Sequence, residues 1–267
     1  MEITGWMRVA RIGGLMTAVT IGLAACGSSS KTTAQTTPSP TSSPTPTLPA
    51  GCHGGIADSV DSTLAILTDP SNCPGSVNKY WKEQLGALWT EPVFIPYSDG
   101  EVPNNECGKR DGNPDDFSDN AFFCPADGTI AYSKNLLNDL YHTGGPYLPV
   151  VVLEHELGHR ADKIASSVGV ISRSEENQAD CDAGVTTAYA RTAHRLPFSD
   201  VLKSAKELYD LGDTRNFGAE VALSPDAHGT PKQRVAAFTR GYIQDINACR
   251  KLGASESGKV GIPGVDD

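Results

Sequence analysis

The stretch with the clearest chemical potential is His155-Glu156-Leu157-Gly158-His159. It has the pattern H-E-x-x-H inside a run, from residue 148 to about 166, that reads as a helix. Residues four apart share one helical face, so both imidazoles can reach a single metal ion. Glu156 between them need not bind the ion. It is placed to take a proton from a water that the ion activates. Two histidines do not complete a catalytic site of this kind, which takes three protein ligands and leaves one position open. The third ligand should come from a following helix packed beside the first. Glu176 lies 17 residues beyond His159, enough chain for one helix to end and the next to return. Asp180 is four residues further on, on the same face. It is placed to accept a hydrogen bond from the outer nitrogen of one metal-bound histidine and so fix its ring. Read without the histidines, Glu175, Glu176 and Asp180 would be solvated first turns of a helix.

These groups need a frame of helices. Residues 56–67 and 77–88 have helical spacing, with Pro70 and Pro74 between them. The second stretch carries Tyr80, Trp81, Leu85 and Trp89 as a core stripe. Residues 92–96 and 128–133 read as strands, and 136–141 as a short helix before the His155 helix. A second long helix is expected from Ser174, its N-cap, to about 194, with acidic residues in its first turn. Further helices are expected at 199–209 and from the turn at Thr230-Pro231 to about 251, and the Gly/Ser-rich tail from Gly253 is expected to fray. Residues 98–119 read as a polar surface loop closed by a disulfide. Its acidic cluster, Asp111, Asp115, Asp116 and Asp119, lacks the spacing of an EF-hand loop, so a solvated loop is expected there rather than a calcium site. The fold class is α+β and mostly helical, with a small sheet.

The N-terminus points to export. Arg8 and Arg11 precede an apolar run, 12–25, that ends in small residues and is short for a membrane span. Leu23-Ala24-Ala25-Cys26-Gly27 resembles the lipobox of bacterial lipoproteins, in which the cysteine carries lipid and becomes the mature N-terminus. Residues 1–25 are thus a signal peptide. Residues 26–50, rich in Ser, Thr and Pro, form a tether that cannot bury a core. The folded part, 51–267, is one domain of 217 residues or two lobes about a cleft. The net charge is −10; the leader carries +1 (Arg8, Arg11, Glu2), which leaves −11 without it. That balance argues against nucleic acid as a partner. With Cys26 lipidated, six of the seven cysteines remain, an even number suited to three disulfides outside the cytoplasm. Six cysteines allow fifteen pairings. The preferred set is Cys52–Cys73 and Cys107–Cys124, both local, with Cys181–Cys249 tying the second long helix to the last one. No C-x-x-C occurs, which argues against a cysteine-held metal.

The combination of H-E-L-G-H at 155–159 with Glu176-Asn177-Gln178-Ala179-Asp180-Cys181 resembles the bacterial neutral zinc metallopeptidases, whose pattern is H-E-x-G-H followed by E-L-Q-A-D-C-x-A-G. Asn177 stands where that family usually has Leu. Phe122-Phe123-Cys124-Pro125-Ala126-Asp127 resembles the family's F-Y-C-P-x-D segment. His228-Gly229-Thr230-Pro231-Lys232-Gln233-Arg234-Val235 resembles its H-G-x-x-x-Q-R-V. The four pieces keep the family's order across 107–240, while 51–95 shows little resemblance. The resemblance implies a zincin-like fold and one catalytic Zn(2+). It implies His155, His159 and Glu176 as ligands and Glu156 as general base. The His228-x5-Arg234 spacing is similar to a segment near the cleft of membrane-associated zincins, which suggests His228 as a substrate or oxyanion contact or, more simply, as a helix cap. The strand at 128–133 is expected to add an extended substrate along its edge.

The expected protein is therefore a zinc endopeptidase anchored to the bacterial cell membrane through lipid on Cys26, outside the cytoplasm, acting on peptide or protein substrates in the cell envelope. The alternative is a zincin-fold lipoprotein with weak or no catalysis that binds peptides or proteins as an envelope factor. A third class is an envelope lipoprotein without metal.

Overall fold

The computed structural model describes residues 48–53, 59–212 and 228–266. The expected signal peptide, Cys26 and most of the expected tether lie outside those residues, as does the stretch 213–227.

Helix α5, Leu148–Ala165, is the axis of the domain. Its residues from Leu148 through Asp162 are all buried, as the near-continuous apolar run at its start requires. A helix apolar on every side must be covered on every side. Pro149 sits in the first turn, where its missing N–H has no intrahelical partner to lose. Ser166 ends the helix in the left-handed conformation. Leu153 and Leu157 are fully buried, so truncating either to alanine should cost about 2–5 kcal/mol.

Helix α6, Ser172–Thr192, lies against α5 and is buried from Ser174 to Thr187 apart from Glu175. It opens three residues earlier than the sequence suggested. The N-cap position belongs to Ile171, and Ser174, inside the first turn, accepts from Ile171 N and returns a bond to Ile171 O. The hydroxyl thus serves the helix end from within. The two helices approach closely because Gly158 has no side chain. A Cβ there would meet Ala179 Cα at 3.1 Å and Ala179 O at 3.2 Å. This is a packing reason for the glycine of H-E-L-G-H.

The other helices among the described residues are α1 Val60–Thr68, α2 Val77–Leu85, α3 Glu106–Asp111, α4 Lys134–Gly144, α7 Phe198–Asp210, α8 Pro231–Ile243 and α9 Ile246–Gly253. The aromatic stripe of α2 enters the core as expected: Trp81 stacks on Trp89 with centroids 5.8 Å apart, and Trp89 Nε1 donates to Asn78 Oδ1. Helix α8 crosses α6 at backbone contact, since a Cβ on Gly184 would lie 2.0 Å from Phe238 O and one on Gly241 1.8 Å from Cys181 O.

Among the described residues the sheet has three strands, β1 Phe94–Tyr97, β2 Ala121–Cys124 and β3 Thr129–Ser133, in the order β1-β3-β2. β1 pairs parallel with β3, Phe94 opposite Ile130. β2 pairs antiparallel with β3, Phe123 opposite Ile130. The expectation that β3 offers a free edge is therefore overturned: β3 is the middle strand, with both sides used. β2 is the edge strand beside α5.

All three disulfides pair as preferred, Cys52–Cys73, Cys107–Cys124 and Cys181–Cys249. The 98–119 stretch is more ordered than a surface loop. It holds α3 and a short 3-10 turn at Pro114–Phe117, and its Cys107 and Phe117 join Tyr97, Phe122 and Cys124 in a second small core. Of the acidic cluster, Asp111 and Asp115 are exposed, while Asp116 and Asp119 are half-buried. The C-terminal tail does not fray. Asn177 donates to Gly258 O, the Asp266 carboxylate gathers the N–H groups of Val260, Gly261 and Ile262, and Val260 is buried.

Candidate metal centre

One turn of α5 and the N-terminal half of α6 face each other across the Gly158 contact, and this brings the chemistry together. His155 and His159 point Nε2 at a common centre, 3.1 Å apart. Glu176 reaches the same point, with Oε2 3.1 Å from His155 Nε2 and Oε1 3.3 Å from His159 Nε2. All three are buried. Among the described residues this is the one His/Cys/Asp/Glu group whose donor atoms converge closely enough to hold a metal.

The donor set suits a divalent cation such as zinc. Two ring nitrogens on one tetrahedral ion lie about 3.3 Å apart, given bonds of about 2.0–2.1 Å. The spacing found is close to that. Glu176 Oε2 is buried and has no hydrogen-bond donor although His155 Nε2 is near, because the direction is wrong for such a bond. An orphaned carboxylate oxygen facing two ring nitrogens requires positive charge between them. The electrostatics agree. Burial works against charge on the rings, but Asp180 and Glu176 push His155 up to about 9, and Glu176 chiefly pushes His159 up to about 10. Burial likewise opposes the charge on Glu176, yet His159 and His228 hold its carboxyl well below the usual carboxylate range. A proton on the rings and a cation between them are two ways of meeting one demand.

The supports of the two histidines differ. His155 Nδ1 bonds to Asp180 Oδ1 at 2.8 Å, as the spacing on α6 suggested. Asp180 in turn takes two bonds from Arg234 on α8, Nε to Oδ2 and NH2 to Oδ1, each 2.8 Å. Burial tends to raise the Asp180 carboxyl; the Arg234 guanidinium and then His155 override it and hold it ionised. Arg234 is fully buried. The residues around it in H-G-x-x-x-Q-R-V have clear tasks: Thr230 and Gln233 form the capping box of α8, so the cap is Thr230 and not His228. His228 is buried and lies within electrostatic reach of Glu176.

Glu156 lies beside the cluster and reaches one oxygen to the sheet. Its Oε2 accepts from Phe123 N at 2.8 Å, on the side of β2 that faces away from β3. Burial raises its pKa, while the two histidines oppose that rise. Arg160, next in α5 after His159, fastens the helix to the sheet by donating to Gly128 O and Thr90 Oγ1 and by covering the Trp89 ring at 4.5 Å. Neither the Phe123 contact nor the Arg160 anchor was foreseen. The F-F-C-P-A-D segment carried the only signal, but the strand expected to act was 128–133; the contact comes from β2, a strand not anticipated from the sequence.

A buried two-histidine, one-carboxylate cluster with a second glutamate beside it, on a helical frame with a small mixed sheet, defines a zincin-like domain. The chain belongs to the family described as "Putative neutral zinc metallopeptidase", whose model matches residues 7–252. It is similar to an uncharacterized protein of Mycobacterium tuberculosis, Rv2575, at 29% identity over 215 residues, covering 68% of this chain and 69% of that one. It is also similar to the uncharacterized protein YpfJ of Escherichia coli, at 26% identity over 195 residues, 65% of this chain and 66% of that one. No solved structure matches the chain.

Proposed function

We propose that this protein is a zinc-dependent endopeptidase, held on the outer side of a bacterial cell membrane by lipid on Cys26, that cleaves peptides or proteins of the cell envelope. One observation carries the enzymatic reading: Glu156 is a buried carboxylate beside the cluster of His155, His159 and Glu176 and takes no part in that cluster. His155, His159 and Glu176 would hold zinc, which when bound polarises a carbonyl and acidifies water.

The protein's own groups do the rest. Glu156 takes a proton from water and later delivers it to the leaving amine. Its raised pKa, caused first by burial, brings the carboxyl closer to a working pH at which both transfers are easy. The Phe123 N–H fixes one of its oxygens, so the other is the one that acts. Asp180 and Arg234 keep His155 oriented. His228 would donate to the developing oxyanion, a role supported by its burial next to Glu176. The anchored location rests on the lipobox-like sequence before Cys26 and agrees with three disulfides, which persist in oxidising compartments.

The test is digestion of an unstructured protein substrate, with and without a chelator, by the wild type and by Glu156→Ala. The wild type should cleave and the chelator should stop it. Glu156→Ala should retain its metal and lose about two to four orders of magnitude in rate. Full activity in Glu156→Ala would remove the general-base role.

A further inference from the structure

The two histidines of the candidate centre are supported unequally. His155 has its outer nitrogen fixed by Asp180. His159 has Nδ1 buried with no hydrogen-bond partner. With Nε2 turned to the centre, a neutral ring must carry its proton on Nδ1, and a buried N–H without an acceptor is costly. Something should accept it.

The nearest acid oxygen is Glu175 Oε1, 3.8 Å from His159 Nδ1. Glu175 precedes Glu176 in the first turn of α6, and its backbone is closely packed: a Cβ on Gly169 would lie 2.3 Å from Glu175 N. The side chain is less confined, 21% exposed. Rotation about its own torsions can therefore close the remaining ångström without moving the helix. The charges around it are His159, Glu176, Lys163 and His155. The other acid near His159 is Asp162, whose Oδ1 is engaged by Gln178 at 2.6 Å and by Ser167 at 3.2 Å; its Oδ2 is unpartnered, but the one carboxylate oxygen within 4.0 Å of His159 Nδ1 is that of Glu175. The family pattern E-x-Q-A-D-C begins one residue later, at Glu176, and so says nothing of position 175.

We propose that Glu175 is the positioning residue of His159: it accepts the Nδ1–H bond and orients the ring for metal, as Asp180 does for His155. α6 would then supply a metal ligand and the carboxylate supports of both histidines from one short segment, Glu175, Glu176 and Asp180. This rests on the reading of His155, His159 and Glu176 as zinc ligands.

The experiment compares wild type, Glu175→Ala, Glu175→Met and Glu175→Gln by zinc affinity in chelator competition. Apo-protein melting and the Nδ1–H proton resonance of His159 in the zinc form are measured alongside. Glu175→Ala and Glu175→Met, which remove the acceptor, should weaken zinc binding about 10–100-fold and shift the His159 resonance but not that of His155, with unchanged apo melting. Glu175→Gln keeps an acceptor oxygen and should stay within about threefold of wild type. Met keeps the length of Glu, so a folding failure of the alanine variant leaves the test intact. Wild-type affinity in Glu175→Met, with the His159 resonance unmoved, overturns this inference alone. A wild-type protein that binds no zinc overturns the ligand reading and this inference together.

Discussion

Arg234 is the group whose loss should be felt most sharply. It sits on α8 with no exposed surface and makes two 2.8 Å bonds to Asp180, which holds His155. Replacing it with Met keeps most of the apolar volume but leaves a fully buried carboxylate facing only His155. Breaking a buried ion pair from one side costs about 3–5 kcal/mol, mostly because the remaining charge is uncompensated. Burial, already the largest influence on Asp180, would then raise its carboxyl toward neutrality. A neutral Asp180 supports His155 less well, and the loss of such a support weakens metal binding about 10–100-fold. Two assays separate these effects: urea unfolding of the apo protein and zinc affinity by chelator competition. The double variant Asp180→Asn/Arg234→Met strands no charge and should recover at least about 1 kcal/mol of the stability lost by Arg234→Met. A loss below about 1 kcal/mol in Arg234→Met, with zinc affinity unchanged, would refute the reasoning.

Other outcomes follow from the same structure. Glu176→Ala removes one of three donors and should abolish stoichiometric zinc in protein purified without added metal; full occupancy by elemental analysis would exclude Glu176 as a ligand. Cys181→Ser/Cys249→Ser opens a loop of 68-residue separation between α6 and α9 and should lower the unfolding free energy by about 4 kcal/mol in a denaturant titration. Asp162 is pushed up to about 7, first by burial, and the buried Asp182 is raised well above its usual range, first by burial and then by the charge of Asp162. The folded state thus keeps a proton that the unfolded chain releases near pH 4, so stability should fall as pH rises from about 4 to 7, by up to about 1.4 kcal/mol per unit. Asp162→Asn can still accept from Gln178 and has no carboxyl to titrate. In the metal-free protein it should flatten that slope, and equal urea-midpoint slopes for variant and wild type between pH 4.5 and 7 would count against the retained proton.

Local signals in the chain carried a large part of this. H-E-L-G-H needs only helical periodicity to bring His155 and His159 onto one face, and Asp180 follows from Glu176 by the same spacing. The three disulfides could be anticipated because two of them close short loops and the third joins two predicted helices. The place of β3 in the sheet could not, since its neighbour β1 comes from residues 94–97 and pairs in parallel across a long connection. Nor could the held tail, because the carbonyl that Asn177 grips is 81 residues away.

By itself, then, the sequence determined which residues could bind a metal and that Glu156 could act beside it, since helix geometry translates spacing directly into shared faces. Only the tertiary structure decided which contacts hold those residues. Arg234 meets Asp180 across 54 residues, and Phe123 meets Glu156 across 33. Both contacts depend on how closely the helices and the edge strand pack. That closeness comes from missing side chains at Gly158, Gly184 and Gly241, which periodicity does not record.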